Sequence, residues 1–208
     1  INMHWIAGLV DIKSMPRLFA GKKLIWTLHD MNPFTGGCHY AQDCTRYETG
    51  CYECPQLGSG GPEDIVKKIW EIKAESYKHL NLTVVTPSKW LGECSKNSAL
   101  LGQFEHRVIP NGLDIQEFSP VDKEDARQRL NLPQNAKIIL FGASGIGDYR
   151  KGFDLFLETI KKLPYLVQGQ DIELAVFGQA KDLSQVKTSY KLHHLGHLNT
   201  PAELAAAY

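Results

Sequence analysis

Lys137-Ile138-Ile139-Leu140-Phe141-Gly142-Ala143-Ser144-Gly145-Ile146-Gly147-Asp148-Tyr149-Arg150-Lys151-Gly152 sets an apolar run ahead of a glycine-punctuated loop and a basic pair. Lys137 to Phe141 reads as a short strand, and the helix-period run from Gly152 to Leu163 predicts the helix that follows. Strand, glycine-rich loop and helix in that order form the start of a βα unit. Such a loop lets backbone amides approach a phosphate, and the helix N-terminus behind it favours negative charge. Gly145 and Gly147 are the positions where bare backbone would come close, and Arg150 and Lys151 stand where they could neutralise a diphosphate. The same residues also read as a flexible connection carrying a solvated basic pair, because a lone glycine fingerprint is a weak signal.

Outward from that loop the βα rhythm continues in both directions, which predicts an α/β fold with parallel sheets. Leu24 to Leu28 reads as a buried strand delivering His29 and Asp30 to its C-terminal edge, where open α/β sheets place their ligands. Pro62, Glu63 and Asp64 open a helix with Ile65, Ile69, Ile72 and later Leu80 on its apolar face. Leu82 to Thr86 is the next strand, Pro87-Ser88 starts a short helix through Trp90 and Leu91, and Arg107 to Ile109 is a strand ended by the turn Pro110-Asn111-Gly112. Weak periodicity from Leu113 to Pro120 marks a linker, 113–120, between a first domain (1–112) and a second (121–208). In the second, Asp122 to Leu130 reads as a capped helix, with strands at Lys137 to Phe141, Ile172 to Phe177 and Lys191 to Leu195. Thr200-Pro201-Ala202-Glu203 is a capping box that opens a last helix.

Among 208 residues, 23 basic side chains balance 23 acidic ones, and 43% of the residues are hydrophobic. A neutral chain without long runs of like charge lacks the footprint of a dedicated nucleic-acid binder. No apolar stretch approaches the ~20 residues that span a bilayer, so the expectation is a cytoplasmic protein. The apolar start without an initiator methionine, and the end about two turns into a helix, read as those of an internal fragment.

Four of the five cysteines fall in the loop 36–58, as Cys38, Cys44, Cys51 and Cys54 in the pattern C-x5-C-x6-C-x2-C. Four thiolates in a glycine-punctuated loop could close a tetrahedral structural zinc site, with His39 able to replace one of them. Two disulfides, which a reducing cytosol disfavours, and free packing cysteines are the other readings. Cys94, alone in a helical pattern, reads as core.

Val108-Ile109-Pro110-Asn111-Gly112-Leu113-Asp114 with Phe118 and Pro120, then Arg150-Lys151-Gly152-Phe153-Asp154, Val176-Phe177-Gly178 and His194-Leu195-Gly196-His197-Leu198, follow one another in an order that resembles family-four retaining glycosyltransferases. Trp26-Thr27-Leu28-His29-Asp30-Met31 and Thr35-Gly36-Gly37-Cys38-His39-Tyr40 are similar to a subgroup tied to bacterial exopolysaccharide assembly. The resemblance covers essentially the whole chain. It implies two Rossmann-like domains of the glycosyltransferase B type, both truncated here, with an acceptor side in the first and a donor side in the second.

The implied activity is transfer of a sugar, with retention, from a UDP- or GDP-sugar to a polysaccharide or lipid-linked glycan. On this resemblance Arg150 and Lys151 bind the donor diphosphate without a catalytic metal, and His29 is the first-domain histidine that contacts the donor sugar or orients the reacting groups. Peripheral attachment to the inner face of a membrane is an accompanying expectation. Two departures stand out. An arginine that most members carry before the diphosphate loop is replaced by Ala143-Ser144-Gly145, and the paired glutamates that hold the donor ribose and sugar would lie beyond Tyr208, so this fragment alone is expected to be inactive. The rival readings are an NAD-dependent Rossmann oxidoreductase, for which Asp171 is the only loose match to the ribose-binding acid, and a sugar-nucleotide binder without turnover.

Overall fold

Every strand pairing in the computed structural model is parallel, and residues 1–167, 169–179 and 186–208 are described. The chain divides into two compact units, Ile1–Gly112 and Leu113–Tyr208. In the first, β1 (Asn2–Met3), α1 (Met15–Leu18), β2 (Lys23–Thr27), α2 (Ile65–Tyr77), β3 (Asn81–Thr86), α3 (Lys89–Asn97) and β4 (Glu105–Val108) build a sheet in the order β1-β2-β3-β4. In the second, α4 (Lys123–Arg129), β5 (Lys137–Gly145), α5 (Phe153–Leu166), β6 (Ile172–Gln179), β7 (Leu192–Gly196) and α6 (Pro201–Ala207) surround a sheet ordered β5-β6-β7.

Strand β2 alternates with period two. Leu24 and Trp26 are buried while Ile25 is exposed, so this strand buries one face rather than both. Trp26 meets the edge of the buried Tyr77 ring on α2 at 5.7 Å, and its Nε1–H donates to the His4 carbonyl at 2.9 Å, which ties the end of β1 to β2. The face of α2 also differs from the expected one. Val66, Lys73, Ser76 and Tyr77 are buried, whereas Ile65 is exposed and Ile69 and Ile72 only half-buried. The Asp64 carboxylate accepts the amides of Val66 and Lys67 and thereby fixes the start of the helix.

In the second unit β6 lies between β5 and β7, and Leu174, Ala175 and Val176 on it are fully buried. Strand β5 runs on through Gly145, four residues past the expected end at Phe141, with a register irregularity between Gly142 and Gly145. Part of the supposed glycine loop is therefore strand. The last helix starts as anticipated, with the Thr200 hydroxyl accepting from the Glu203 amide and the Glu203 carboxylate accepting from the Thr200 amide.

Candidate active site

The turn that follows β5 is built by packing at its base and by Asp148 at its tip. Phe141 on β5 packs against Phe153 and Phe156 of α5, with ring centroids at 5.1 and 5.2 Å, so the two ends of the connection are clamped together. Ile146 turns inward and is buried. The Asp148 side chain caps the single turn Tyr149–Lys151 by accepting from the Arg150 amide at 3.1 Å, and Arg150 Nε donates back to the same carboxylate at 2.9 Å. The hydrogen bond from Arg150 is the main cause that holds the Asp148 carboxyl down to about 2. Gly152 then adopts a left-handed conformation, φ 75°, and opens α5 without a side-chain cap.

Three consequences bear on anion binding. The amides of Ile146, Asp148, Lys151 and Gly152 donate to carbonyls within the unit and that of Arg150 to Asp148, so these donors are not open to a ligand in this conformation. The charge of Arg150 is offset by Asp148, which leaves the exposed Lys151 as the cation better placed to meet an incoming anion. A methyl group added at Gly145 or Gly147 would meet nothing within 4 Å. At Gly142 it would lie 2.0 Å from the Phe177 ring, and at Gly178, where φ is +121°, 1.7 Å from the Ala143 carbonyl oxygen. Around this turn, close approach thus requires glycine at Gly142 and Gly178, and the open space lies at Gly145 and Gly147.

In the first unit His29 follows β2 at the C-terminal edge of the sheet. Its Nε2 lies 3.0 Å from Nδ1 of His4, with the ring centroids 5.3 Å apart and 23° between the planes. Next to them the buried Asp30 carboxylate receives His39 Nδ1 at 2.9 Å and the Asn32 amide at 2.8 Å, and His39 stacks on Trp5 at 5.2 Å. The sequence pattern singles out His29 and not His4. The available signal was that His4-Trp5 and His29-Asp30 both follow the ends of neighbouring parallel strands, but a two-residue strand is too short to announce itself. His39 is engaged with Asp30 and is not among the residues lining the cysteine cavity.

Cys38, Cys44, Cys51 and Cys54 line one cavity of about 150 Å³, together with Gly36, Gly37 and Val66. All four are free thiols. Burial pushes the Cys38 and Cys51 thiols up, and the neighbouring cysteines add to the effect. Among the described residues no group of three or more His, Cys, Asp or Glu is arranged so that it could hold a metal ion. The four cysteines converge on one cavity, as their spacing suggested. Beneath this loop the buried Lys73 donates to the carbonyls of Asn32 at 2.5 Å and Thr35 at 3.0 Å, and burial brings its ammonium down to about 8.

Parallel Rossmann-like sheets in successive units are the architecture of the glycosyltransferase B fold. The sucrose-phosphate synthase of Thermosynechococcus elongatus matches with a TM-score of 0.57 over 91% of this chain and 43% of its own, at 17% identity, and shows that fold. In sequence the chain is similar to the putative colanic acid biosynthesis glycosyl transferase WcaC of Escherichia coli (strain K12), with 30% identity over 192 residues, 86% of this chain. It spans 44% of that relative's length. No family model matches the chain. Among the described residues no helix is long and apolar enough to cross a membrane.

Proposed function

We propose that this chain forms part of a retaining, family-four-type glycosyltransferase that moves a sugar from a UDP- or GDP-sugar to a polysaccharide or lipid-linked glycan. The observation that carries the reading is the similarity to WcaC over 192 residues, 86% of this chain, an extent that takes in the Arg150-Lys151 loop. WcaC is described as a putative glycosyl transferase of colanic acid biosynthesis, which supports a polysaccharide as the product class. The place of work is the cytoplasm, at the inner face of the membrane where lipid-linked acceptors are assembled.

In this reading the first unit serves the acceptor side and the second the donor side. Lys151 meets the donor diphosphate and stabilises the charge that gathers on the leaving nucleotide as the glycosidic bond breaks. Arg150 contributes more weakly, because its guanidinium must share itself with Asp148. Gly145 and Gly147 leave room for the phosphates. His29 contacts the donor sugar or orients the reacting groups, and no catalytic metal enters the step.

The test is turnover of the full-length enzyme after Lys151→Ala, followed as release of UDP or GDP from UDP-glucose and GDP-mannose in the presence of a bacterial lipid extract as acceptor. Loss of one preorganised cation predicts a fall of about 10²–10³-fold with an unchanged melting temperature. Arg150→Ala costs less. Near-normal turnover by Lys151→Ala would refute the assignment.

A further inference from the structure

The edge that carries His29 holds a second imidazole, and its geometry constrains what His29 can do. Nδ1 of His4 and Nε2 of His29 face each other at 3.0 Å. Two lone pairs at that distance repel, and so do two N–H groups, so a single proton lies between the rings and links their tautomers. When His29 carries its proton on Nε2, Nδ1 of His4 accepts it; when His4 carries its proton on Nδ1, Nε2 of His29 accepts.

We propose that His4 is a positioning residue for His29, holding its ring in one orientation and coupling its tautomer to its own through the shared Nδ1···Nε2 hydrogen bond. The inference rests on the reading of His29 as a group that meets the sugar. It adds that Nε2 of His29 is already committed to His4, so that Nδ1 is the atom presented to substrate. His4 is itself fixed for this task. It follows directly on β1, and its carbonyl accepts from Nε1 of the buried Trp26 at 2.9 Å, so its backbone is anchored in the core while its ring stands at the surface. With the ring centroids 5.3 Å apart and 23° between the planes, the two imidazoles meet edge to edge in nearly one plane, so the hydrogen bond between them is close to linear. Groups that orient metal-bound histidines typically cost about 10–100-fold in activity when removed, and a loss of that order is expected here.

The test needs no substrate for its first arm. Histidine ring nitrogens of this chain, labelled with nitrogen-15, are observed by NMR at about pH 8.5, well above the ordinary imidazole value of ~6.5. In the parent chain a nitrogen–nitrogen coupling across the shared proton links Nε2 of His29 to Nδ1 of His4. In His4→Ala that coupling is lost and the His29 ring signals move toward the positions of a solvent-exposed imidazole. In His4→Asn, whose amide can donate or accept near the place of Nδ1, the His29 signals return toward those of the parent. An unchanged His29 spectrum in His4→Ala, or no recovery in His4→Asn, overturns the proposal.

The second arm measures turnover of the full-length enzyme with UDP-glucose and GDP-mannose. His4→Ala lowers kcat by about 10–100-fold with little change in KM for the sugar nucleotide, and His4→Asn recovers most of it. A His4→Ala enzyme that matches the parent in kcat, alongside an impaired His29→Ala enzyme, contradicts the positioning role. Full activity in His29→Ala sinks instead the reading of His29 on which the functional part rests, and the two failures are thereby told apart.

Discussion

At the scale of single residues the most instructive contrast lies among the glycines around β5. A Cβ on Gly142 would enter the ring of Phe177, which is buried and held from its other side by the edge of Tyr208 at 5.8 Å. Gly142→Ala is therefore expected to destabilise the second unit by about 1–3 kcal/mol in urea unfolding, the usual cost of overpacking, and Phe177→Leu should recover part of the loss. Gly145→Ala and Gly147→Ala, which meet open space, should leave the same unfolding curve in place. Equal destabilisation at all three positions would contradict the close approach seen at Gly142.

Lys73 gives a second residue-scale prediction, in pH. Burial brings its folded value down to about 8 from 10.5, so between those two values the unfolded chain keeps a proton that the folded chain has released. Stability contributed by this group therefore rises with pH from about 8 to about 10.5, by at most about 3 kcal/mol, and is flat below 8, where both states are charged. The difference between the parent and Lys73→Met, followed by denaturant unfolding across that range, should show the slope. A constant difference would mean that the buried amine is not proton-linked to folding. Neither residue stood out in the sequence: Lys73 reads as one more lysine on a charged helix, and only the carbonyls of Asn32 and Thr35 reveal why it faces inward.

At the scale of elements, helix starts were legible because their chemistry is local. Asp64, Ser88, Asp122 and Thr200 each cap a helix near the position their side chains announce. The buried face of α2 differs from the expected one because Ile65, Ile69 and Ile72 keep helical spacing while the buried positions are Val66 and Lys73, which meet the loop around Gly36 and Thr35, and Tyr77, which meets Trp26 on β2. Strand β5 was judged too short because glycines read as loop, whereas here they let β5 and β6 approach closely at Gly142 and Gly178. At the candidate site the cations could be read from the sequence, but the way Asp148 ties up Arg150 could not, since it depends on the turn that Asp148 itself creates. Asp148→Asn should raise the affinity of Arg150 for a nucleoside diphosphate by releasing its guanidinium, measured as a tighter dissociation constant for UDP or GDP. Weaker binding would show instead that the cap, rather than the charge, is what the loop needs.

At the scale of the whole molecule, two α/β units are joined near Gly112, and the residues from Leu113 to Glu117 are exposed. Limited proteolysis should therefore cut first within residues 113–120 and release two fragments that retain their secondary structure; early cuts inside β2, β3 or β6 would contradict the division. The parallel architecture was legible in the alternation of apolar runs and helical periods. The cysteine loop was legible only as a cluster, since spacing shows that four thiols can meet and not whether they meet at coordination geometry. The central claim is that the second unit grips the diphosphate of a sugar nucleotide through Lys151. Calorimetric titration of the full-length protein with UDP, GDP and NAD tests it most directly. The account predicts that UDP or GDP binds, that NAD does not, and that Lys151→Ala weakens the nucleoside diphosphate by at least about tenfold, or ~1.4 kcal/mol; binding of NAD in its place, or diphosphate binding untouched by Lys151→Ala, would contradict it.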